Sequence, residues 1–148
     1  MGTKYIDLHL HLDGAITAEA AMELAEMQGI SLPAKTEKEL AKLISVPEGC
    51  TSLNDFLRCF ELPLSLLQTR EGICRAVQLV LEEQKREGVI YAEIRFSPQL
   101  HTRKGLSQEE VLRAALEGLE DAPIPANLIL ACMRGADNEA LNMQTVET

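Results

Sequence analysis

At 148 residues with 46% hydrophobic content, the chain is long enough to bury a core, and one domain is expected. Fourteen basic against 23 acidic residues leave a net charge of −9, which argues against a nucleic-acid backbone or an anionic membrane surface as partner and suits a small neutral or cationic ligand. Cys50, Cys59, Cys74 and Cys132 form no Cys-x-x-Cys pair and sit on apolar segments, so reduced, buried thiols are expected rather than a zinc ribbon or a disulfide framework.

Met1-Gly2-Thr3-Lys4 leads into no apolar run able to act as a signal peptide, because Asp7 and His9 interrupt it. No segment approaches the roughly 20 apolar residues that span a bilayer, and a cytoplasmic protein is expected. The first element is the stretch Asp7-Leu-His-Leu-His-Leu-Asp-Gly14. Its strict period of two predicts a strand with Ile6, Leu8, Leu10 and Leu12 on an apolar face and Asp7, His9, His11 and Asp13 on a polar one. Two histidines so spaced project the same way and can close on one ion, and neutral imidazoles suit zinc. A lone His-x-His often just meets water on an exposed strand. Here the intervening leucines, the flanking acids and Gly14 favour an apolar back and a metal-binding front.

Helical patterns follow. Thr17 to Gln28 carries Ala21, Leu24, Ala25 and Gln28 at helical spacing and stops at Gly29, with Pro33 beyond. Thr36 to Glu39 reads as a capping box opening a helix with Leu40, Leu43 and Ile44 inward. Ser52 opens a third, bearing Leu53, Phe56, Leu57 and Phe60 and ending near Pro63. Thr69 to Glu87 is the longest amphipathic run, with Ile73, Val77, Val80 and Leu81 in register and Gly88 closing it.

A second strand is predicted over Val89 to Phe96, with Tyr91, Glu93, Arg95 and Ser97 opposite Ile90, Ala92, Ile94 and Phe96. Ser107 to Glu110 is another capping box, and Val111, Leu112, Ala115, Leu116 and Leu119 form the buried stripe of a helix ending near Glu120. Asn127 to Met133 is a nearly continuous apolar run, as in a strand buried on both faces of a parallel sheet. Asn138 to Thr148 begins a last helix with Ala140, Met143 and Val146.

Strand, helical connection, strand, helix, strand, helix is a parallel βα architecture. Three strands are few for it, since an eight-stranded βα barrel takes about 250 residues, and the chain reads as cut short. A catalytic zinc site commonly has three protein ligands. The only other histidine, His101, lies in the loop after the second strand, where a solvent-exposed side chain is expected in preference to a third ligand.

Taken in order, Ile6-Asp-Leu-His-Leu-His-Leu-Asp-Gly-Ala-Ile16, then Phe56-Leu57 and Phe60, then Tyr91-Ala-Glu-Ile-Arg-Phe-Ser-Pro98, then Cys132-Met-Arg134 resemble the N-terminal half of an adenosine deaminase. The resemblance implies the N-terminal portion of a (β/α)8 barrel of the TIM type, with a helical insert over about residues 17–87. It also implies one zinc ion, with His9 and His11 as its first two ligands. Asp13 would contact the ribose of a purine nucleoside, with His11 beside it. Leu53, Phe56, Leu57 and Phe60 would cover the purine, while Arg95, Ser97 and Met133 would stand at strand ends facing the active site. In the family, a zinc-activated water attacks C6 of the purine and the amino group leaves as ammonia. The third zinc histidine, the proton-donating Glu, the second-sphere His and the zinc-binding Asp belong to later strands and are absent from these 148 residues. No catalytic residue of that kind is therefore assigned here, and the chain alone is expected to be inert.

Other identities share the first motif. Adenine deaminases and related aminohydrolases tend to carry Glu where this chain has Asp13, and metal-dependent phosphoesterases also open with Asp-x-His-x-His. The Arg-x-Ser-Pro and Cys-Met-Arg runs weigh against the latter. A non-catalytic interaction module belongs to another class. Two open sheet edges would then be relieved by self-association or by pairing with a complementary C-terminal half.

Overall fold

The computed structural model describes residues 3–148, so the start of the Met1 to Lys4 segment read for a leader lies outside the described residues. Three parallel strands, β1 (Tyr5–His11), β2 (Val89–Phe96) and β3 (Ala126–Leu130), lie in the order β1-β2-β3. Seven helices flank and connect them: α1 (Ala18–Gln28), α2 (Glu37–Ile44), α3 (Leu53–Arg58), α4 (Glu61–Leu66), α5 (Arg70–Arg86), α6 (Gln108–Glu120) and α7 (Glu139–Glu147). Among the described residues no helix is long and apolar enough to cross a membrane.

The helix starts follow local chemistry. The Thr17, Thr36, Ser52, Thr69 and Ser107 hydroxyls each accept an early N–H of the helix they precede. Only Ser107 and Glu110 complete the reciprocal box; at Thr36 the hydroxyl half alone forms. Gly29, at φ 64°, takes the left-handed turn that ends α1.

The core lies between the sheet and α1, α5 and α6, where Leu24, Val77, Leu81, Ala92, Ile94 and Val111 are fully buried. Helices α5 and α6 approach so closely that a Cβ on Gly118 would stand 2.6 Å from the Cys74 carbonyl oxygen. Only a residue without a side chain fits there.

Several expectations are corrected. The third helix breaks after Arg58, and Pro63 sits inside the first turn of α4, where a missing N–H costs nothing. Strand β3 ends at Leu130, and none of its residues is fully buried, as it has a neighbouring strand on one side only among the described residues. Leu43 and Leu116 are exposed, and so are Ala140, Met143 and Val146 of α7. That helix docks through polar groups instead: Gln108 accepts from the Thr145 hydroxyl at 2.6 Å and donates to the Leu141 carbonyl at 2.9 Å. Of the cysteines only Cys59 is buried, and Cys132 is exposed.

Candidate metal and ligand site

Strand β1 does not keep its alternation. Its register against β2 slips between Asp7 and Leu10, and the His9 N–H donates to Asp7 Oδ1 at 2.9 Å across the irregularity. The apolar back is accordingly dry only at its end: Ile6 and Leu8 are exposed, Leu10 is half-buried and Leu12 fully buried.

Across the slip, His9 and His11 converge. Their Nε2 atoms are 3.3 Å apart and their rings lie 5.3 Å centre to centre at 30°. Two imidazole nitrogens bound to one tetrahedral zinc at about 2.0–2.1 Å would be about 3.4 Å apart, so the pair fits that ion as it stands. Without metal the same separation admits an Nε2–H donated from one ring to the other. Among the described residues no group of three or more His, Cys, Asp or Glu is gathered, so the pair is a two-ligand site.

The chain then turns through Asp13–Ala15, where Asp13 Oδ1 accepts the Gly14 N–H at 3.0 Å. A Cβ on Gly14 would stand 3.2 Å from the Phe60 ring and 3.5 Å from His11 Cβ, and its lack lets the ring close over the end of β1. Phe60 in turn packs against Phe56, with centroids 5.2 Å apart. Both rings line two cavities. One of about 270 Å³ is lined by Asp13, Gly14, Ile16, Val46, Phe56 and Phe60. The other, about 570 Å³ and more open, reaches Leu10, His11, Phe56 and Phe60. A groove of about 360 Å³ between α1 and α5 is lined by Glu19, Glu23, Glu82, Lys85 and Arg86 and contains neither histidine.

Arg95 pairs in register with His11 on the neighbouring strand, and its Nε is buried without an acceptor. Ser97 donates to Met133 Sδ at 3.3 Å, joining the residue just past β2 to the loop after β3. Met133 lies beyond β3, in the following loop, where Asn142 accepts its N–H at 2.8 Å and donates to its carbonyl at 2.7 Å. Leu53 and Leu57 are exposed and line neither of these two cavities.

His101 departs furthest from expectation: it is 1% exposed, where a solvent-exposed side chain was predicted. Its Nδ1 lies 2.9 Å from the Leu67 carbonyl, which can only accept, so Nδ1 carries the proton, and the ring stands edge-on to Phe96. Burial holds its pKa below the ordinary 6.5, against the opposing pull of the Leu67 carbonyl and Asp13 and with the support of Arg103. Beside it, buried Gln68 donates to the Leu64 and Leu100 carbonyls and accepts the Arg103 N–H at 3.0 Å. Sequence reading missed this clasp between the insert and the loop after β2, as it missed Asn142. Isolated Gln, Asn and His positions carry no periodic signal, because their partners are backbone groups more than 30 residues away or, for Asn142, in an irregular loop.

The sequence matches the profile of the family described as Adenosine deaminase over residues 5–148. It is 49% identical over 146 residues to the adenosine deaminase of Haemophilus ducreyi, covering 95% of this chain and 42% of that protein. It is 40% identical over 136 residues to the adenosine deaminase of Clostridium botulinum, covering 89% and 41%. Among solved structures, it resembles an adenine deaminase from Arthrobacter aurescens with a TM-score of 0.71 and 30% identity, over 87% of this chain and 39% of that one. The chain thus spans about two fifths of the length of the curated relatives it matches.

Proposed function

The chain belongs to the adenosine deaminase family, and from that premise we propose that it carries the first two zinc ligands and one wall of the nucleoside pocket for hydrolytic deamination of adenosine and deoxyadenosine. The products would be inosine or deoxyinosine and ammonia. The observation that carries this reading is the 3.3 Å approach of the His9 and His11 Nε2 atoms, next to Asp13 and the phenyl pair. The three parallel strands with flanking helices are the N-terminal portion of the family's βα barrel.

Each side chain has a task within that reading. His9 and His11, as neutral imidazoles, offer their facing lone pairs to zinc. A zinc ion so held supplies Lewis acidity that lowers the pKa of water towards 7. Asp13 uses one oxygen on its own turn and keeps the other free to accept a ribose hydroxyl. Phe56 and Phe60 exclude water from the purine face, and Gly14 allows that closeness. Ser97 and Met133 hold each other at the far side, with Arg95 supplying positive charge beside His11. None of these groups donates a proton to the leaving amino group.

Adenine is the second reading, favoured by the likeness to the adenine deaminase of A. aurescens. Asp13 separates the two, since only a nucleoside offers a ribose. Loss of purine absorbance tests both. With zinc, the 148-residue chain alone is expected to turn over neither compound. A longer family protein carrying this segment is expected to prefer adenosine, and Asp13→Glu to narrow that preference. An adenosine-to-adenine rate ratio that Asp13→Glu leaves unchanged would remove the ribose contact from the proposal. A cytoplasmic location fits a nucleoside salvage role.

A further inference from the structure

Helix α4 is only six residues long and carries Phe60 at its start, so its own turns cannot hold that ring over Gly14. Its anchorage lies at the other end, where the last carbonyls of a helix have no partner within it. Three buried or half-buried side chains occupy them. Gln28 of α1 donates to the Leu66 carbonyl at 2.9 Å, His101 to the Leu67 carbonyl at 2.9 Å, and Gln68 to the Leu64 carbonyl at 2.8 Å.

Two of the three join the insert to the loop after β2. Gln68 spans the junction, since its Nε2 also donates to the Leu100 carbonyl at 3.0 Å and its Oε1 accepts the Arg103 N–H at 3.0 Å. His101 closes the turn Pro98–His101, which starts directly after Ser97, and its ring stands edge-on to Phe96 at the end of β2. Both side chains are buried, so water does not replace a bond that either one loses.

We infer that His101 and Gln68 are positioning residues for the nucleoside pocket, fixing the Phe56/Phe60 wall against the Ser97–Met133 wall. This rests on the deaminase reading of the site and deepens it by naming what sets the width of the purine slot. Neither residue lines the two cavities beside the phenyl pair; both act through α4. Six helical residues span about 9 Å, so a tilt at the anchored end is carried to Phe60. Closure of that ring over Gly14, and its packing on Phe56, depend on the setting.

Three variants test this. His101→Leu keeps bulk without a donor, Gln68→Met keeps length without an amide, and His101→Asn keeps an N–H near the place of Nδ1. Hydrogen exchange of the 148-residue chain is read by segment. His101→Leu and Gln68→Met are expected to speed exchange over residues 59–67 about tenfold and His101→Asn to stay within about threefold of the parent, with residues 73–81 of α5 unchanged in all three. In a longer family protein carrying this segment, the Leu and Met variants are expected to raise KM for adenosine about tenfold with kcat within about twofold, and His101→Asn to restore it. Exchange unchanged over 59–67, exchange raised equally over 73–81, or an unchanged KM each overturn the inference, since the clasp is then at most a stabilising contact. A longer parent protein that turns over no adenosine removes the deaminase reading and the positioning role with it; the exchange pattern tells that failure apart from a failure of the clasp to hold α4.

Discussion

The half of the molecule built from β2, α5 and α6 and the half built from β1 and α3 use similar aliphatic and aromatic side chains, yet one is sealed and the other open. In the first, Gly118 brings the α6 backbone against α5, and Val77, Ile94 and Val111 are fully buried. In the second, Ile6 and Leu8 of β1 and Leu53 and Leu57 of α3 are all at least 50% exposed. Among the described residues β2 has a strand on each side, whereas β1 has one on a single side. Stability should therefore depend on the sealed half, and metal and ligand chemistry on the open one.

The sharpest test of that division is Ile94→Ala. Removing this fully buried side chain from the central strand is expected to cost about 3 kcal/mol, read as a lower urea midpoint at an unchanged slope. A loss under about 1 kcal/mol would mean that the sheet centre is not what holds the chain together.

A smaller effect is expected at the seam, where His101 ties the insert to the loop after β2. Its folded-state pKa lies below 6.5, so on acidification the unfolded chain takes up the proton first. The stability it contributes is full above about pH 6.5 and is lost as the pH falls through the lower, folded value. Urea midpoints of the parent chain should therefore fall between neutral pH and the range where carboxylates titrate, and His101→Gln should flatten that fall. Parallel curves for the two proteins would show that this imidazole takes up its proton equally readily in the folded and unfolded chain, so that its burial adds no pH dependence.

Sequence periodicity made the sealed half legible almost to the residue. The predicted Val89–Phe96 strand is β2 unchanged, and Ile73, Val77, Val80 and Leu81 form the buried stripe of α5. The pattern failed where tertiary surroundings outvote it. Helix α7 looks amphipathic through Met143 and Val146 but docks through Asn142 and Thr145. The approach of the His9 and His11 rings was legible as a local period-two motif, whereas Phe56 and Phe60 entered through the family resemblance. The slip in β1 at Asp7 was not legible, since a carboxylate taking a backbone N–H two residues on leaves the composition of a regular strand unchanged.

The smallest effect is expected at Leu53, and it bears most directly on the open half. This side chain is 70% exposed, opens α3 immediately after the Ser52 cap, and lines neither cavity beside Asp13. Leu53→Ala removes little buried area and puts a better helix former in its place, so the unfolding free energy from urea titration should move by less than about 0.5 kcal/mol. Phe56 and Phe60 remain, so the cavities keep their wall. A cost above about 1 kcal/mol would require the outer face of α3 to be covered in solution. The open half would then be closed by something that buries Leu53 together with the other side of β1, and the contrast between the two halves would belong to the isolated chain alone.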